Sequence, residues 1–597
     1  MRIRISLLPL FFGTLVAAEE PAPWSPESYP DQEGFNARKQ IVLEGLAKGG
    51  LDKWRRGYFA GGDPGKYLPG HAMAKLMLNP DDPEPGKYMN DNRSYKEQYH
   101  FSVVNWARFW PLFGDQVLTD DTKAKWAERQ KRYNYLSPGG TENHKTMWWT
   151  SAAVLPLYSG VGTNHKSKEE TLARAKAILH EYVKGLFMAG QGEWDSSTYL
   201  MFDINGLLNI YDFSEDEEAK LLARAGLDYL IAAYALKYTD GVYTAPNQRG
   251  FARVPYKSIA DATGYVWWGG SKQLTSEDTG AFRYTLHPIT SNWKPGRVIH
   301  NIATRNLEGL PVEQRNSKAN YWHGQGLPPK PGHSHETVYV HPRFTIGSLW
   351  NQHASQHTRF QIAVSSSSGA VVFTGGHPRK SDHNAQKTGI GYRDGTGRFV
   401  QSAQSGPVYL SMVRAPEDEE EAYAYFTIPD MFAETEPTSI GKWKVFDVEG
   451  VQVAVRALWG EVVTGTTKPD KRGRTTPLLK MPGHDTGFLV WVLEDANDLE
   501  QKLASVSIDM AAFEGKGRVI VTVPEVTRIH ATFNPDPNGD NHGSRAAKVT
   551  INEEEVDLKR WDIYGGPFVK QTPGLVTISD GTESFTIDFT GDLPVYR

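Results

Sequence analysis

Near residue 310 the spacing of apolar residues changes from about 3.6 to 2, and one kind of secondary structure cannot satisfy both periods. From about 35 to 310 the pattern is helical. The run Lys168-Glu-Glu-Thr-Leu-Ala-Arg-Ala-Lys-Ala-Ile-Leu-His-Glu-Tyr-Val-Lys-Gly-Leu-Phe187 predicts one helix ending near Gly190. Glu217 to Tyr238 predicts another, with Leu221, Leu222, Ala225, Leu227, Leu230 and Ile231 crowded on one side. Gly-, Pro- and Asn-rich loops separate such helices. Repeated helix pairs with long polar loops predict stacked hairpins closing into an α/α toroid. A plain bundle has the same periodicity, which does not report closure. Glu313 to Gly332 reads as a linker. Beyond it Thr337–Val340, Phe360–Val364, Ala370–Thr374, Val451–Arg456 and Gly487–Leu493 read as strands, with turn residues such as Asp394-Gly395 and Asp580-Gly581 between strands. Strands without interleaved helices predict an antiparallel β-sandwich. The expected class is therefore α+β and multidomain. Its parts are a leader at 1–18, a toroid at 19–315, a linker at 316–334, a sandwich at 335–514 and a small β-unit at 515–597.

Several function classes fall away on composition. The chain has 597 residues, too many for one core. A net charge of −5 without a basic stretch argues against nucleic acid as partner. There is no cysteine, which removes thiol nucleophiles, Cys-ligated zinc and iron–sulfur chemistry. Two arginines and an apolar run precede Val16 and Ala18, the pattern of a signal peptide cleaved after Ala18. This predicts a secreted or periplasmic protein. No later stretch is apolar for long enough to be an integral membrane segment. The 17 Trp and 27 Tyr suit stacking on sugar rings, but large cores consume aromatics as well.

Three segments carry candidate chemistry. Thr141-Glu-Asn-His-Lys145 follows a Pro-Gly-Gly turn and enters an apolar helix. Asn143 and His144 there can point into a cleft at an anion-favouring helix N-terminus, or Thr141 or Asn143 can simply cap the helix. Gly190-Gln-Gly-Glu-Trp-Asp-Ser-Ser-Thr-Tyr199 is a second glycine-rich loop, and in a toroid Tyr199 would share one end of the barrel with His144. A packed aromatic is the commoner fate of such a tyrosine. Asp240–Arg253, with Lys257 and Trp267-Trp268 after it, interleaves bases with aromatics, as a sugar-acid site or an ordinary long loop would.

This order of helical region, Asn-His, Glu/Asp-x-Ser-x-x-Tyr loop and β-sandwich resembles the toroid-plus-sheet polysaccharide lyases. These include heparinase II/III-like, alginate and chondroitin AC-type lyases. The resemblance implies β-elimination on a uronate-containing acidic polysaccharide, giving 4,5-unsaturated uronate ends, without a cofactor. It implies that Asn143 and His144 bind the uronate carboxylate, that Tyr199 moves a proton, and that Arg249 follows as the arginine of the set. A sheet-domain His or Tyr is also implied, with His335, Tyr339, His341 and His353 as candidates. Glu142, Tyr243, Trp267 and His341 join Arg249 as expected substrate contacts. The chemistry needs such groups. The C5 proton is very weakly acidic until donors neutralise the adjacent carboxylate and stabilise the enolate-like transition state. A tyrosine, with an ordinary pKa of about 10, needs a nearby cation to act as an anionic base. If His144 is the base, Tyr199 is the acid.

Two other classes compete. A glycoside hydrolase needs two carboxyl groups across the scissile bond, with Glu142, Glu193, Asp203 and Asp195 available. A glycan-binding protein would keep the aromatic cleft alone. The histidines 333, 335, 341, 353 and 357 are close in sequence, but scattered strand and loop histidines are the simpler reading, and no metal is expected.

Overall fold

The computed structural model describes residues 20–52, 64–91, 98–249, 255–320, 330–352, 357–378, 397, 399–467, 469, 473, 475–494, 497–511, 517–536 and 545–597. The expected leader lies outside them, as do His353, Arg253 and the centre of the expected linker, 321–329.

The N-terminal half is helical. Its longer helices are α1 (Gln32–Ala47), α2 (Pro64–Leu78), α3 (His100–Val117), α4 (Asp120–Gln130), α5 (Glu142–Ala152), α6 (Lys168–Ala189), α7 (Leu200–Phe213), α8 (Glu217–Lys237) and α9 (Ile259–Trp268). Several begin where a side chain satisfies the first free N–H groups. Ser167 and Glu170 form a reciprocal capping box at α6, Ser258 and Asp261 do so at α9, and Asp216 accepts from the Ala219 N–H at α8. Helix α6 stops at Gly190, whose φ of +87° turns the chain into the loop 190–199. No described helix is long and apolar enough to cross a membrane.

Strand structure starts earlier than expected. Strands β1 (Val312–Asn320) and β2 (Lys330–Val340) occupy both ends of the expected linker. They pair antiparallel with Asn316 opposite Glu336, and β2 continues into β3 (Phe344–Leu349). Asn316 and Lys318, part of the polar content that suggested a linker, belong to a strand and join a polar network, described below.

Among the described residues, three large sheets form most of the C-terminal half. A thirteen-stranded sheet containing β1, β2 and β3 packs on a six-stranded sheet through Phe360, Phe373, Phe426, Phe446, Phe488 and Val490. The other face of the six-stranded sheet packs on a five-stranded sheet through Leu489, Trp491, Val519, Val521, Ile529 and Val549. This explains the unbroken apolar run Gly487–Leu493: successive side chains alternate faces, and both faces are buried. Residues 515–597, expected as one unit, divide. Those up to Glu555 build the five-stranded sheet together with Ser507–Ala511 from the expected sandwich, whereas Tyr564–Tyr596 return to extend the thirteen-stranded sheet. There Ile563, Val576, Ile578 and Phe589 join the helical core, and Gln571 accepts from the Tyr229 hydroxyl at 2.9 Å and donates to the Leu186 and Phe187 carbonyls.

Candidate active site

Two loops meet at the N-terminus of α5 and exchange carboxylates. The Glu193 backbone N–H donates to Glu142 Oε2 at 2.7 Å, and the Asn143 backbone N–H donates to Glu193 Oε2 at 3.1 Å. Neither Thr141 nor Asn143 caps the helix; the Glu193 carboxylate, from the neighbouring loop, serves the free N–H end of α5. Asn143 Nδ2 donates to Thr141 Oγ1 at 2.9 Å and to the same Glu193 carboxylate. The other oxygen of Glu193 binds the Arg249 guanidinium. Glu193 therefore holds Asn143 and Arg249 at once.

The brace carboxyls Glu142 and Glu193 and the neighbouring Asp203 are all essentially without solvent contact. Burial pushes Glu142 up to about 8, with the negative charge of Glu193 adding to it. Burial and the charges of Glu142 and Glu193 raise Asp203 well above the carboxylate range. Arg249 supplies the positive charge at Glu193.

Above the brace the site opens. Tyr199 is half-buried at the start of α7, and the Arg249 guanidinium lies over its ring, 4.1 Å from the centroid. Arg249 adopts φ +53° and keeps its side chain 22% exposed. Tyr199 packs on an aromatic cluster of Phe101, Phe202 and Tyr284. His144 meets Phe101 of that cluster edge-on and lies against His100, with ring centroids 4.0 Å apart. Burial drives His100 down to about 3, helped by His144 and Lys66. Gly140, with φ +110°, lies beneath His144; a Cβ there would sit 2.7 Å from Nδ1, so the Pro-Gly-Gly turn makes room for the imidazole. Lys66 Nζ stands 4.0 Å from the Phe101 centroid, and the Arg283 guanidinium 4.7 Å from that of Tyr67. The partly exposed Tyr67, Tyr99, His100, His144, Tyr199, Lys66, Arg249 and Arg283 thus combine ring faces with positive charge.

The sheet half reaches this site through a buried network of four charges. Asp195, in the Tyr199 loop, accepts from Lys237 Nζ at 2.7 Å and Lys318 Nζ at 2.9 Å. Both lysines also bind Glu336, at 2.6 and 3.1 Å. Burial alone would raise Asp195, but the two lysines overcome it and bring it to about 2. A second link pairs Gln248 with His357, whose ring also meets Trp194 at 5.3 Å.

Five expected contacts need correction. Asn143 is fully buried and both its amide N–H groups are engaged, so it cannot donate to a ligand without breaking the brace. Glu142 is likewise sealed inside it. Tyr243 is buried, with its hydroxyl donating to Asp195 Oδ1 at 2.9 Å, and burial raises its pKa well above the usual value. Trp267 has no exposure and packs edge-on to Trp293 in the helical core, so it offers no ring face to a sugar. His341 lies just past β2, stacked on Phe344 and 3.3 Å from Glu494; five residues beyond Glu336 along a strand is roughly 16 Å away. His335 instead meets Trp561. The three histidines 335, 341 and 357 thus stand in separate places, and no group of three or more metal-ligating side chains occurs among the described residues.

Asn143, His144, Tyr199 and Arg249 do come together. Sequence reasoning misses His100, Lys66 and Arg283 as site residues, weighs His357 only as a metal ligand and takes Glu193 only as a hydrolase acid. Tyr99-His100-Phe101, an aromatic run entering an apolar helix, was the available signal for the first of these.

No family model matches the chain, and no curated protein matches it. Among solved structures, one of chondroitinase AC lyase aligns at 10% identity, covering 94% of this chain and 100% of that chain, with a TM-score of 0.39.

Proposed function

We propose that this protein is a polysaccharide lyase that cleaves a uronate-containing acidic polysaccharide by β-elimination, acting outside the cytoplasm on a helical region closed as a toroid. The observation that carries this reading is the Tyr199–Arg249 pair. A half-exposed phenol lies under a guanidinium that a buried carboxylate holds, and the aromatic cluster it packs on also touches His144 through Phe101. Arg249, Lys66 and Arg283 supply positive charge for an acidic sugar, and the tyrosine rings supply faces for stacking. Cations at the uronate carboxylate stabilise the enolate-like charge that develops as C5 loses its proton. His144 takes that proton, the electron pair forms the C4–C5 double bond, the C4–O4 bond breaks, and the Tyr199 hydroxyl gives O4 its proton. Asn143 acts indirectly, by fixing Glu193. The carboxyl groups named for a hydrolase are all buried: Glu142 and Glu193 are engaged in the brace, Asp195 in the four-charge network, and Asp203 accepts from Gln191.

The test is a screen of uronate polymers, following both ultraviolet absorbance and new reducing ends. The double bond conjugated to the carboxylate absorbs, so absorbance should rise in step with chain cleavage. Reducing ends without absorbance would make the enzyme a hydrolase. Binding without either would make it a glycan-binding protein.

A further inference from the structure

We infer that the sheet domain positions the Tyr199–Arg249 pair, with Lys318 and Glu336 as positioning residues; this rests on the lyase reading for its kinetic consequence only. Both members of the pair sit in loops of the helical half, and each loop is tied to the sheets within a few residues. Asp195 precedes Tyr199 by four residues and has φ +56°, in the left-handed region that aspartate tolerates better than most residues. Three donors hold its carboxylate: Lys237 from the end of α8, Lys318 from β1 and the Tyr243 hydroxyl. Glu336 on β2 completes the square, and Asn316 Nδ2 donates to it at 2.7 Å. From Asp195 the constraint passes on locally. Ser196 Oγ accepts from the Tyr199 N–H at 3.0 Å and donates to the Arg249 carbonyl at 3.2 Å. Arg249 itself directly follows Gln248, which pairs with His357 of the sheet half. The network holds two positive and two negative groups in a dry interior, where each charge needs the others. It is therefore a rigid joint, placed between the sheets and the reacting pair.

A charge-balanced variant tests the joint in the full chain. Lys318→Met with Glu336→Gln removes one charge of each sign and leaves Asp195 paired with Lys237. Hydrogen exchange should show protection across residues 190–199 falling at least about tenfold, with helix α6 unchanged. Unchanged protection in that loop, or an equal loss in α6, would overturn the inference. If the double variant does not fold, Glu336→Asp, which keeps both charges and shortens the reach, is judged by the same measure. With active enzyme, kcat should fall about tenfold or more while KM stays within about threefold. A raised KM at unchanged kcat would equally overturn it. A wild-type protein inactive on every uronate polymer would sink the lyase reading, while the exchange result would still decide the joint.

Discussion

Arg249 and Tyr199 form a cation–ring pair, with the guanidinium carbon 4.1 Å from the ring centroid and the Glu193 carboxylate gripping the guanidinium. Neither contact lies in one loop alone. Tyr199 and Glu193 belong to the loop after α6, Arg249 to the segment between α8 and α9.

Tyr199→Phe keeps the ring under Arg249 and removes only the hydroxyl. Turnover should drop at least about 10²-fold, the usual contribution of a proton-transfer group. Stability should change by no more than about 1 kcal/mol. Initial rates and urea unfolding of the same preparation check both. Near-normal turnover in a folded variant would remove Tyr199 from the chemistry.

Glu193→Gln leaves the guanidinium of Arg249 without its buried counter-charge and weakens the acceptor of Asn143. The loss should be about 3 kcal/mol in urea unfolding, the lower end of the range for breaking a buried ion pair. Activity should fall with it, because Arg249 is no longer held over Tyr199. Full activity would show that Arg249 needs no anchor.

Glu142 makes stability fall with rising pH. Its folded value of about 8 lies above its ordinary 4.5, so between these the native protein binds more protons than the unfolded chain. Its stabilising contribution is complete below about pH 4.5 and is lost progressively up to about pH 8. Asp195 behaves oppositely: its value of about 2 lies below 3.8, so its contribution is present above 3.8 and lost as pH falls towards 2. Urea midpoints of Glu142→Gln should therefore decline less steeply than those of the wild type between about pH 5 and 8, the remaining decline coming from other raised carboxyls such as Asp203. An identical decline in the variant would place the titrating group elsewhere.

Lys237→Met leaves Asp195 and Glu336 with Lys318 as their shared cation. Removing one partner of a buried ion network should cost about 3–5 kcal/mol. A loss below about 1 kcal/mol would mean that the network is solvated in solution.

Trp267→Ala should cost about 3–5 kcal/mol through the cavity left in the helical core. Were the ring a sugar platform instead, KM would rise with little change in the urea midpoint.

The boundary between helices and strands was legible because period depends only on the local chain: Leu221 to Ile231 and Phe360 to Val364 announce their own backbone. The partial exposure of His144 and Tyr199 was legible for a related reason, since glycine-rich turns before helices mark where a polar side chain can leave the core, whereas Asn143 stays buried. Elsewhere exposure was not legible. Trp267 and Tyr243 have the composition of a sugar site and the burial of a core, and Asn143 spends its donors on Glu193.

What the sequence determined by itself was therefore the order and type of the elements, and the neighbourhood of Asn143, His144 and Tyr199. Tertiary structure alone decided the partners. Lys318 and Glu336, from the strands, meet Asp195 and Lys237, from the helical half, although Lys237 and Lys318 are 81 positions apart in the sequence. No local pattern encodes such a meeting, because it forms only when desolvation makes each buried charge find an opposite one. The same holds for Glu193, whose ordinary surface chemistry becomes an anchor only once the fold has closed the water out.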